Sequence, residues 1–241
     1  QLYARPFWDG NGSKPGVPLR LTGNTGSGDY ALARATVAEV YNQILADLTF
    51  AEQNLPTTQG SATLNTTRAH RNTAIALKTR VLMSMRRYAD VITEANKIVS
   101  ATAPFTAATG VAHALQADIT NVFKAPYTTT ESILSMSFAS NEAPGTQNQL
   151  GYYYGPAAFN GGNGEYSMLP TGVIADAGWK VADKRRSMIG VFGGKSYLTK
   201  YSVASIFTDY APVIRYAEVL LSLAEARVRS TNTVDAQAIA L

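Results

Sequence analysis

The residues with the clearest chemical potential are aromatic side chains around a glycine-rich stretch between Gly145 and Gly164. Sugar rings have apolar C–H faces and many hydroxyl groups, so a sugar site needs flat aromatic rings for stacking and amides or charged groups for the hydroxyls. We predict a long loop here that contributes most of such a surface. The predicted surface stacks sugars on Trp8, Tyr152, Tyr153, Tyr154, Phe159, Tyr166 and Trp179, and its polar residues are Asn148, Gln149, Asn160, Asn163 and Glu165.

Each of these rings also has a simpler interpretation. Tyrosine is commonly half-buried in folded proteins, so packing beneath the loop explains any single tyrosine at least as well as ligand contact does. The prediction of a carbohydrate surface therefore rests on the cluster and not on any one ring.

A catalytic pair of carboxylates is difficult to recognise in a sequence. A glycosidase needs only two of them about 5 to 9 Å apart in space, and their spacing along the chain does not reveal that distance. Glu218 and Glu225 lie seven residues apart on a predicted helix, or about 10.5 Å along its axis. That spacing is marginal for catalysis. Surface pairing with Arg215, Arg227 or Arg229 is the favoured interpretation.

Other catalytic and metal chemistries find little support in the motifs. Residues 189–196 end like a phosphate-binding loop but lack its first glycine, and residues 9–13 begin like a calcium loop before basic residues replace the required Gly and Glu. His70 and His113 have no second ligand at metal spacing. The chain contains no cysteine. We predict no catalytic residue, no metal and no cofactor.

Composition bounds the class of protein. The chain has 241 residues, of which 46% are hydrophobic and 16% charged, with a formal net charge of +4. Such a chain folds as one large or two small domains. Because the excess charge is small and forms no basic stripe, we expect no nucleic-acid partner. No apolar run reaches the ~20 residues of a membrane span, and the abrupt ends suggest a chain that is incomplete at both of them.

Helical spacing of apolar residues predicts the elements that carry these side chains. One helix extends from residue 35 to the residue before Pro56, and two more, over residues 74–87 and 88–99, form an antiparallel hairpin. This hairpin is either a tetratricopeptide-like unit or an ordinary helical pair. Pro212 is predicted to open a final helix.

Between these helices the sequence predicts irregular structure. The predicted elements are a loop over residues 6–30, a polar linker over 57–67, short helices over 114–123 and, capped by Thr171, over 174–179, a strand over 133–138, and a hairpin that turns at Gly193–Gly194.

Four motifs together resemble the SusD/RagB family of outer-membrane glycan-binding lipoproteins. They are GVPLRL at 16–21, RATVAEVYNQILADL at 34–48, the helix pair over 68–88, and IRYAEVLLSLAEA at 214–226. The segments 152–156, 169–171 and 183–186 follow in the family's order. One departure is Arg86–Arg87, where the family usually turns the chain with Gly or Asp.

The resemblance implies a mainly α, SusD-like fold in a single domain over residues 1–241. Its tetratricopeptide-like helical scaffold would comprise residues 33–101 and 212–241, and a loop-rich region with short strands over 102–211 would bind the ligand. The implied function is non-catalytic binding of a polysaccharide or oligosaccharide at the surface of a Gram-negative bacterium, with delivery to a SusC-like TonB-dependent transporter. Membrane association would need an N-terminal lipid anchor that this chain lacks.

Two alternatives stay open at this stage. Helical-hairpin scaffolds also bind peptides, so the chain could be a helical-repeat adaptor whose aromatic loop only closes the fold. A glycoside hydrolase is the third and least favoured candidate, because the aromatic region offers no acid pair beyond Glu165 and Asp176.

Overall fold

The computed structural model describes residues 4–143, 145 and 149–241. In chain order its helices are α1 (Val37–Asn54), α2 (Ala62–Thr67), α3 (Arg71–Ser84), α4 (Tyr88–Ala95), α5 (Leu150–Tyr154), α6 (Ala157–Asn160), α7 (Tyr216–Thr231) and α8 (Ala236–Ala240). The strands are β1 (Pro15–Pro18), β2 (Arg34–Thr36), β3 (Ser132–Met136), β4 (Ile189–Phe192), β5 (Lys195–Leu198) and β6 (Ala211–Arg215), and 3₁₀ helices form at Ile119–Phe123, Val173–Ala175 and Lys184–Met188.

The backbone divides into two compact units. A helical unit comprises Gln1–Thr58, His70–Ala112 and Ala217–Leu241, and a mixed unit comprises Gln59–Ala69 and His113–Tyr216. The prediction that the whole chain is one domain stays a prediction.

Helix α1 begins where the sequence predicts it, because Thr36 and Glu39 cap each other. The Thr36 hydroxyl accepts from the Glu39 N–H at 3.1 Å, and the Thr36 N–H donates to the Glu39 carboxylate at 2.7 Å. This capping box satisfies two of the N–H groups that a helix start leaves free. The helix ends before Pro56, which cannot supply an N–H to continue it.

The predicted helical hairpin is present as α3 and α4. Leu82 on α3 and Val91 on α4 are buried together with Ala226 on α7, and Leu45 on α1 packs against them. The short connection places Arg86 in the left-handed region at φ 60°. Glycine adopts that conformation freely, whereas the Cβ of Arg86 makes it less favourable.

The helical unit also contains a two-stranded antiparallel sheet, formed by β1 and β2. Residues 6–30 were predicted as a loop, so β1 is a correction. Its partner strand lies almost twenty residues away, and a pairing at that distance leaves no local pattern in so short a strand.

In the mixed unit, Gly193 and Gly194 turn the β4–β5 hairpin as predicted, both with positive φ. A two-residue hairpin loop with two positive φ angles is the type that right-twisted strands favour. Val122, Phe123 and Tyr201 form a buried cluster in this unit, and β3 pairs with β6 in antiparallel orientation.

Three further predictions need correction. Pro212 does not open a helix: it lies in β6, and α7 begins at Tyr216, because pairing with β3 outweighs the helical signal of proline. The polar linker contains α2, whose N-cap Ser61 accepts from the Leu64 N–H at 3.2 Å. The short helices over 114–123 and 174–179 shrink to the 3₁₀ turns Ile119–Phe123 and Val173–Ala175.

Within the described part of the chain, no helix has both the length and the apolar character needed to span a membrane.

Candidate functional site

The tyrosine-rich segment is helical, which corrects the prediction of a loop. Tyr152, Tyr153 and Tyr154 lie on α5, and Pro156 separates this helix from α6. Gly161 then ends α6 in the left-handed conformation at φ 80°. Helices of five and four residues are too short to show a period in the sequence, so only the glycines and prolines around them were visible.

Asn160 holds this pair of helices together. Its Nδ2 donates to the carbonyl of Gly151 at 3.1 Å and to that of Tyr201 at 3.3 Å, while its Oδ1 accepts from the Gly162 N–H at 3.1 Å. The residue is only 6% exposed. Asn160 is predicted to select sugar hydroxyls, but its amide is committed to the backbone and we leave it out of the proposed surface.

The tyrosines of α5 belong to a group of contacting rings that we call the aromatic cluster. Its members are Tyr152, Tyr153, Tyr154, Tyr166, Tyr201 and Phe207. The ring centroid of Tyr166 lies 5.7 Å from that of Tyr153 and 5.8 Å from that of Tyr154. These separations are typical of favourable aromatic pairs.

The aromatic cluster has a buried base and an exposed rim. Tyr201 and Phe207 are buried, the three tyrosines of α5 are half-buried, and Tyr166 is 58% exposed. The base therefore packs the mixed unit and the rim is open to solvent, while contact of the rim with a ligand stays a prediction.

Two polar residues lie close to the rim residue Tyr166 in the sequence. Asn163 is exposed and its Nδ2 donates to the Glu165 carboxylate at 2.7 Å, directly before Tyr166 in the sequence. Such a pair leaves further donor and acceptor capacity for hydroxyl groups. Gln149 is buried, and Asn148 lies outside the described residues.

Trp179 is half-buried beneath an arginine. The Arg186 guanidinium lies 4.6 Å from the centre of the indole ring and donates to the Trp179 carbonyl at 2.6 Å. The ring also lines a shallow pocket of about 360 Å³ with Val173, Asp176 and Arg185. One face of Trp179 thus packs on Arg186.

Trp8 belongs to the helical unit. It is 54% exposed, and the Arg86 guanidinium lies 4.5 Å from the centre of its ring. The described contacts give Trp8 no tie to the aromatic cluster, and its role in stacking stays a prediction.

Phe159 leads to a second feature of the mixed unit, which we call the lysine pocket. Its ring lies 5.7 Å from Phe192 and lines a cavity of about 480 Å³ together with Phe123, Asp118 and three lysines, Lys124, Lys184 and Lys200. This pocket is not predicted from the sequence. The three lysines lie far apart in the chain, and the residues around each of them do not indicate that they come together.

The candidate catalytic carboxylates are paired with arginines. Glu218 accepts from Arg80 on α3 at 2.7 Å, and Glu225 accepts from Arg229 at 2.9 Å. The predicted pairing is thus confirmed for Glu225, whereas Glu218 pairs with Arg80 instead of the predicted arginines. Arg215 pairs instead with the buried Glu131.

Asp209 is the buried carboxylate nearest in sequence to the aromatic cluster. Burial raises its pKa, although the N–H groups of Ser202 and Val203 and the Tyr127 hydroxyl donate to it. These donors hold the segment 202–209 in place, which is a structural task. Among the residues that the structure describes, no group of three His, Asp or Glu side chains is arranged to hold a metal ion.

The chain is similar to a known protein family and to several solved structures. The model of a family described as SusD-like, starch-binding and associating with the outer membrane matches residues 1–83. A SusD superfamily protein from Bacteroides fragilis has a TM-score of 0.78 at 29% identity, covering 95% of this chain and 49% of its own. No curated protein sequence matches the chain.

Two structures from Bacteroides thetaiotaomicron share the fold at lower identity. A SusD superfamily protein has a TM-score of 0.75 at 19% identity, covering 98% of this chain and 52% of its own. Surface glycan-binding protein A, solved in complex with laminarihexaose, has a TM-score of 0.61 at 17% identity, covering 84% and 52%.

The family model over residues 1–83 and the fold shared with the 29%-identical Bacteroides fragilis protein agree with the SusD/RagB resemblance of the sequence motifs. The chain spans about half the length of these solved structures.

Proposed function

We propose that this protein binds glycans without catalysis, through the exposed rim of the aromatic cluster. The observation that carries the proposal is the placement of Tyr166, which is 58% exposed while its ring is held against Tyr153 and Tyr154. A ring fixed from below and open above is a ready platform for the apolar face of a sugar. Asn163 and Glu165 supply polar groups for hydroxyls beside it.

The comparisons support this assignment at the level of the class. The matched family is described as starch-binding, and a structural relative is a surface glycan-binding protein in complex with laminarihexaose. Glu218 and Glu225 are engaged by arginines, which agrees with a binding role.

The finer parts of the proposal rest on the family. We place the protein at the outer membrane of a Gram-negative bacterium, where it passes glycan to a SusC-like TonB-dependent transporter. The family description, which names association with the outer membrane, supports the location. Co-purification of the full-length protein with a transporter from native membranes tests the partner.

Native affinity electrophoresis tests the binding function. Gels contain starch, laminarin, other β-glucans, mannan or pectin, and a non-binding protein serves as the mobility standard. We expect retardation in at least one gel, and Tyr166→Ala should weaken it by about fivefold, the equivalent of one aromatic contact. Tyr30→Ala, which removes a tyrosine exposed in the helical unit, is the matched control and should leave retardation unchanged.

The outcomes separate the candidate functions. Unretarded migration in every gel, combined with peptide capture, would replace the glycan-binding proposal with the peptide adaptor. Release of reducing sugar ends from a retained polysaccharide would contradict the absence of catalysis. Thermal melting of each variant confirms that any loss of retardation does not come from unfolding.

A further inference from the structure

The lysine pocket contains more positive charge than its own carboxylate can neutralise. Lys124, Lys184 and Lys200 line it with a single acidic residue, Asp118. Lys184 lies 3.8 Å from the Asp118 carboxylate, and Lys124 donates to the Thr120 hydroxyl at 3.2 Å. Within the described residues, neither Lys124 nor Lys200 has a carboxylate within ion-pair distance.

Lys200 is the most constrained of the three. Its Nζ lies 4.9 Å from the ring centres of both Phe123 and Tyr201, and the side chain is half-buried. Burial and the nearby positive charge of Arg215 lower the pKa of Lys200. Arg215 is itself engaged by Glu131, and an anion placed beside Lys200 would favour its charged ammonium.

The rest of the lining fits a sugar that carries a charge. Thr120, Ser187, Thr199 and Ser202 line the pocket with hydroxyl groups, and Phe123 and Phe159 line it with aromatic rings. Phe123 also contacts Tyr201, at 6.2 Å between ring centres. Tyr201 in turn contacts Tyr154 at 5.8 Å, so the pocket adjoins the base of the aromatic cluster.

We propose that the lysine pocket is a subsite for an anionic substituent, the carboxylate of a uronic acid or a sulfate ester, on the glycan that the aromatic cluster binds. The inference rests on the proposed glycan-binding function and narrows its substrate to acidic polysaccharides. Lys200 and Lys124 would donate charge-assisted hydrogen bonds to the anion, and the hydroxyls would bind the ring that carries it.

Pairs of polymers that share a backbone, one member carrying an anionic substituent and the other none, test the proposal. Calorimetry compares polygalacturonate with its fully methyl-esterified form, and dextran sulfate with dextran, all at 0.15 M salt. We expect the wild type to bind at least one anionic member about tenfold more tightly than its neutral partner, the worth of one hydrogen bond to a charged group. A preference confined to one pair identifies carboxylate or sulfate as the source of the anion.

Lysine variants then locate the effect. Lys200→Gln and, independently, Lys124→Gln should each reduce the anionic preference by about tenfold, and the two together protect the test against a folding defect in either one. Lys195→Gln, at the exposed turn of the β4–β5 hairpin, removes the same charge away from the pocket lining. It should leave the preference intact.

Two results would overturn the subsite. One is equal affinity for the charged and neutral polymers, and the other is a loss in Lys195→Gln as large as that in Lys200→Gln, which would indicate only a general attraction of polyanions to a basic protein. If the neutral polymers still bind and Tyr166→Ala weakens them, the glycan-binding function survives this failure. If none of these four polymers and none of the gel polysaccharides binds, both proposals are overturned, whereas binding to a neutral gel polysaccharide alone overturns only the subsite.

Discussion

Glu52 is a buried carboxylate shared by two lysines of the helical unit. Its oxygens accept from Lys78 at 3.2 Å and from Lys97 at 2.7 Å, and both lysines also contact Glu94. Glu52 lies on α1, Lys78 on α3 and Glu94 on α4. This four-residue network therefore joins three helices, and its loss should lower the stability of the whole helical unit.

Glu52→Gln should destabilise the protein at neutral pH by about 2 kcal/mol, since it removes two charge-assisted hydrogen bonds while Glu94 retains contact with both lysines. Urea denaturation of the variant and the wild type at pH 7 measures the difference. Asp47→Asn, on an exposed face of the same helix, is the matched control. A variant as stable as the wild type would contradict a stabilising role for the network.

The same residue predicts how this difference depends on pH. Burial acts to raise the pKa of Glu52, but the hydrogen bonds and charges of Lys97 and Lys78 outweigh it and hold the pKa below its usual value. A carboxyl with a lowered folded-state pKa contributes stability above its unfolded-state pKa and loses it as the pH falls. The difference in free energy of unfolding between the wild type and Glu52→Gln should therefore become smaller when urea denaturation is repeated below about pH 4.5.

At the scale of elements, the segment that follows α6 packs against α5 through a close backbone approach at Gly162. A Cβ placed there would lie 2.2 Å from the Gly155 carbonyl oxygen and 2.8 Å from that of Tyr152. Rigid backbone atoms cannot yield as a flexible side chain can. This close packing holds the segment after α6 against α5, the helix that carries the three tyrosines.

Gly162→Ala should therefore cost about 3 kcal/mol through overpacking and weaken glycan retention, because the aromatic rim would shift. Gly161→Ala is a sharp comparison: it has positive φ but nothing within 4 Å of a new Cβ, so only the left-handed penalty of about 1 kcal/mol applies. Chemical denaturation and near-ultraviolet circular dichroism of the tyrosines report both effects. Equal losses in the two variants would show that crowding at Gly162 is unimportant.

What the sequence could predict about the elements depends on their length and on the distance to their partners. Helices α1 and α3 run over several turns, so their apolar spacing and the capping Thr36 are readable locally. Strand β6 is not, because its partner β3 lies about eighty residues earlier and Pro212 by itself favours a helix start. The long helices of the SusD-like scaffold are therefore predictable, and the short strands mostly are not.

Distance along the chain also determines which parts of the candidate site are predictable. The tyrosines of α5 and Tyr166 are close in sequence, so their clustering was visible. The burial of Asn160 was not, since its amide is held by the carbonyl of Tyr201, forty-one residues away. The lysine pocket stayed hidden for the same reason, because Lys124 and Lys200 meet only in the folded chain.

At the scale of the whole molecule, the rim of the aromatic cluster is an open surface formed by several rings. We expect affinity to rise with glycan length, because each further sugar ring adds a modest contact, worth about 0.5 to 1.5 kcal/mol on one aromatic side chain. Isothermal titration with mono-, di- and hexasaccharides of the retained glycan measures this dependence. A monosaccharide that binds as tightly as the hexasaccharide would point to an enclosed pocket instead.

The two units are interleaved along the chain, and this ordering bears on biosynthesis. Helix α2 belongs to the mixed unit, although the segments before and after it, including α1 and α3, belong to the helical unit. Helices α7 and α8 of the helical unit come after the mixed unit has ended at Tyr216. Neither unit can thus finish folding before residue 216 has been synthesised. Because contacts between distant segments form slowly, Leu82 on α3 and Val91 on α4, which are buried with Ala226 on α7, stay exposed until α7 has been synthesised, and such exposed apolar surface favours aggregation.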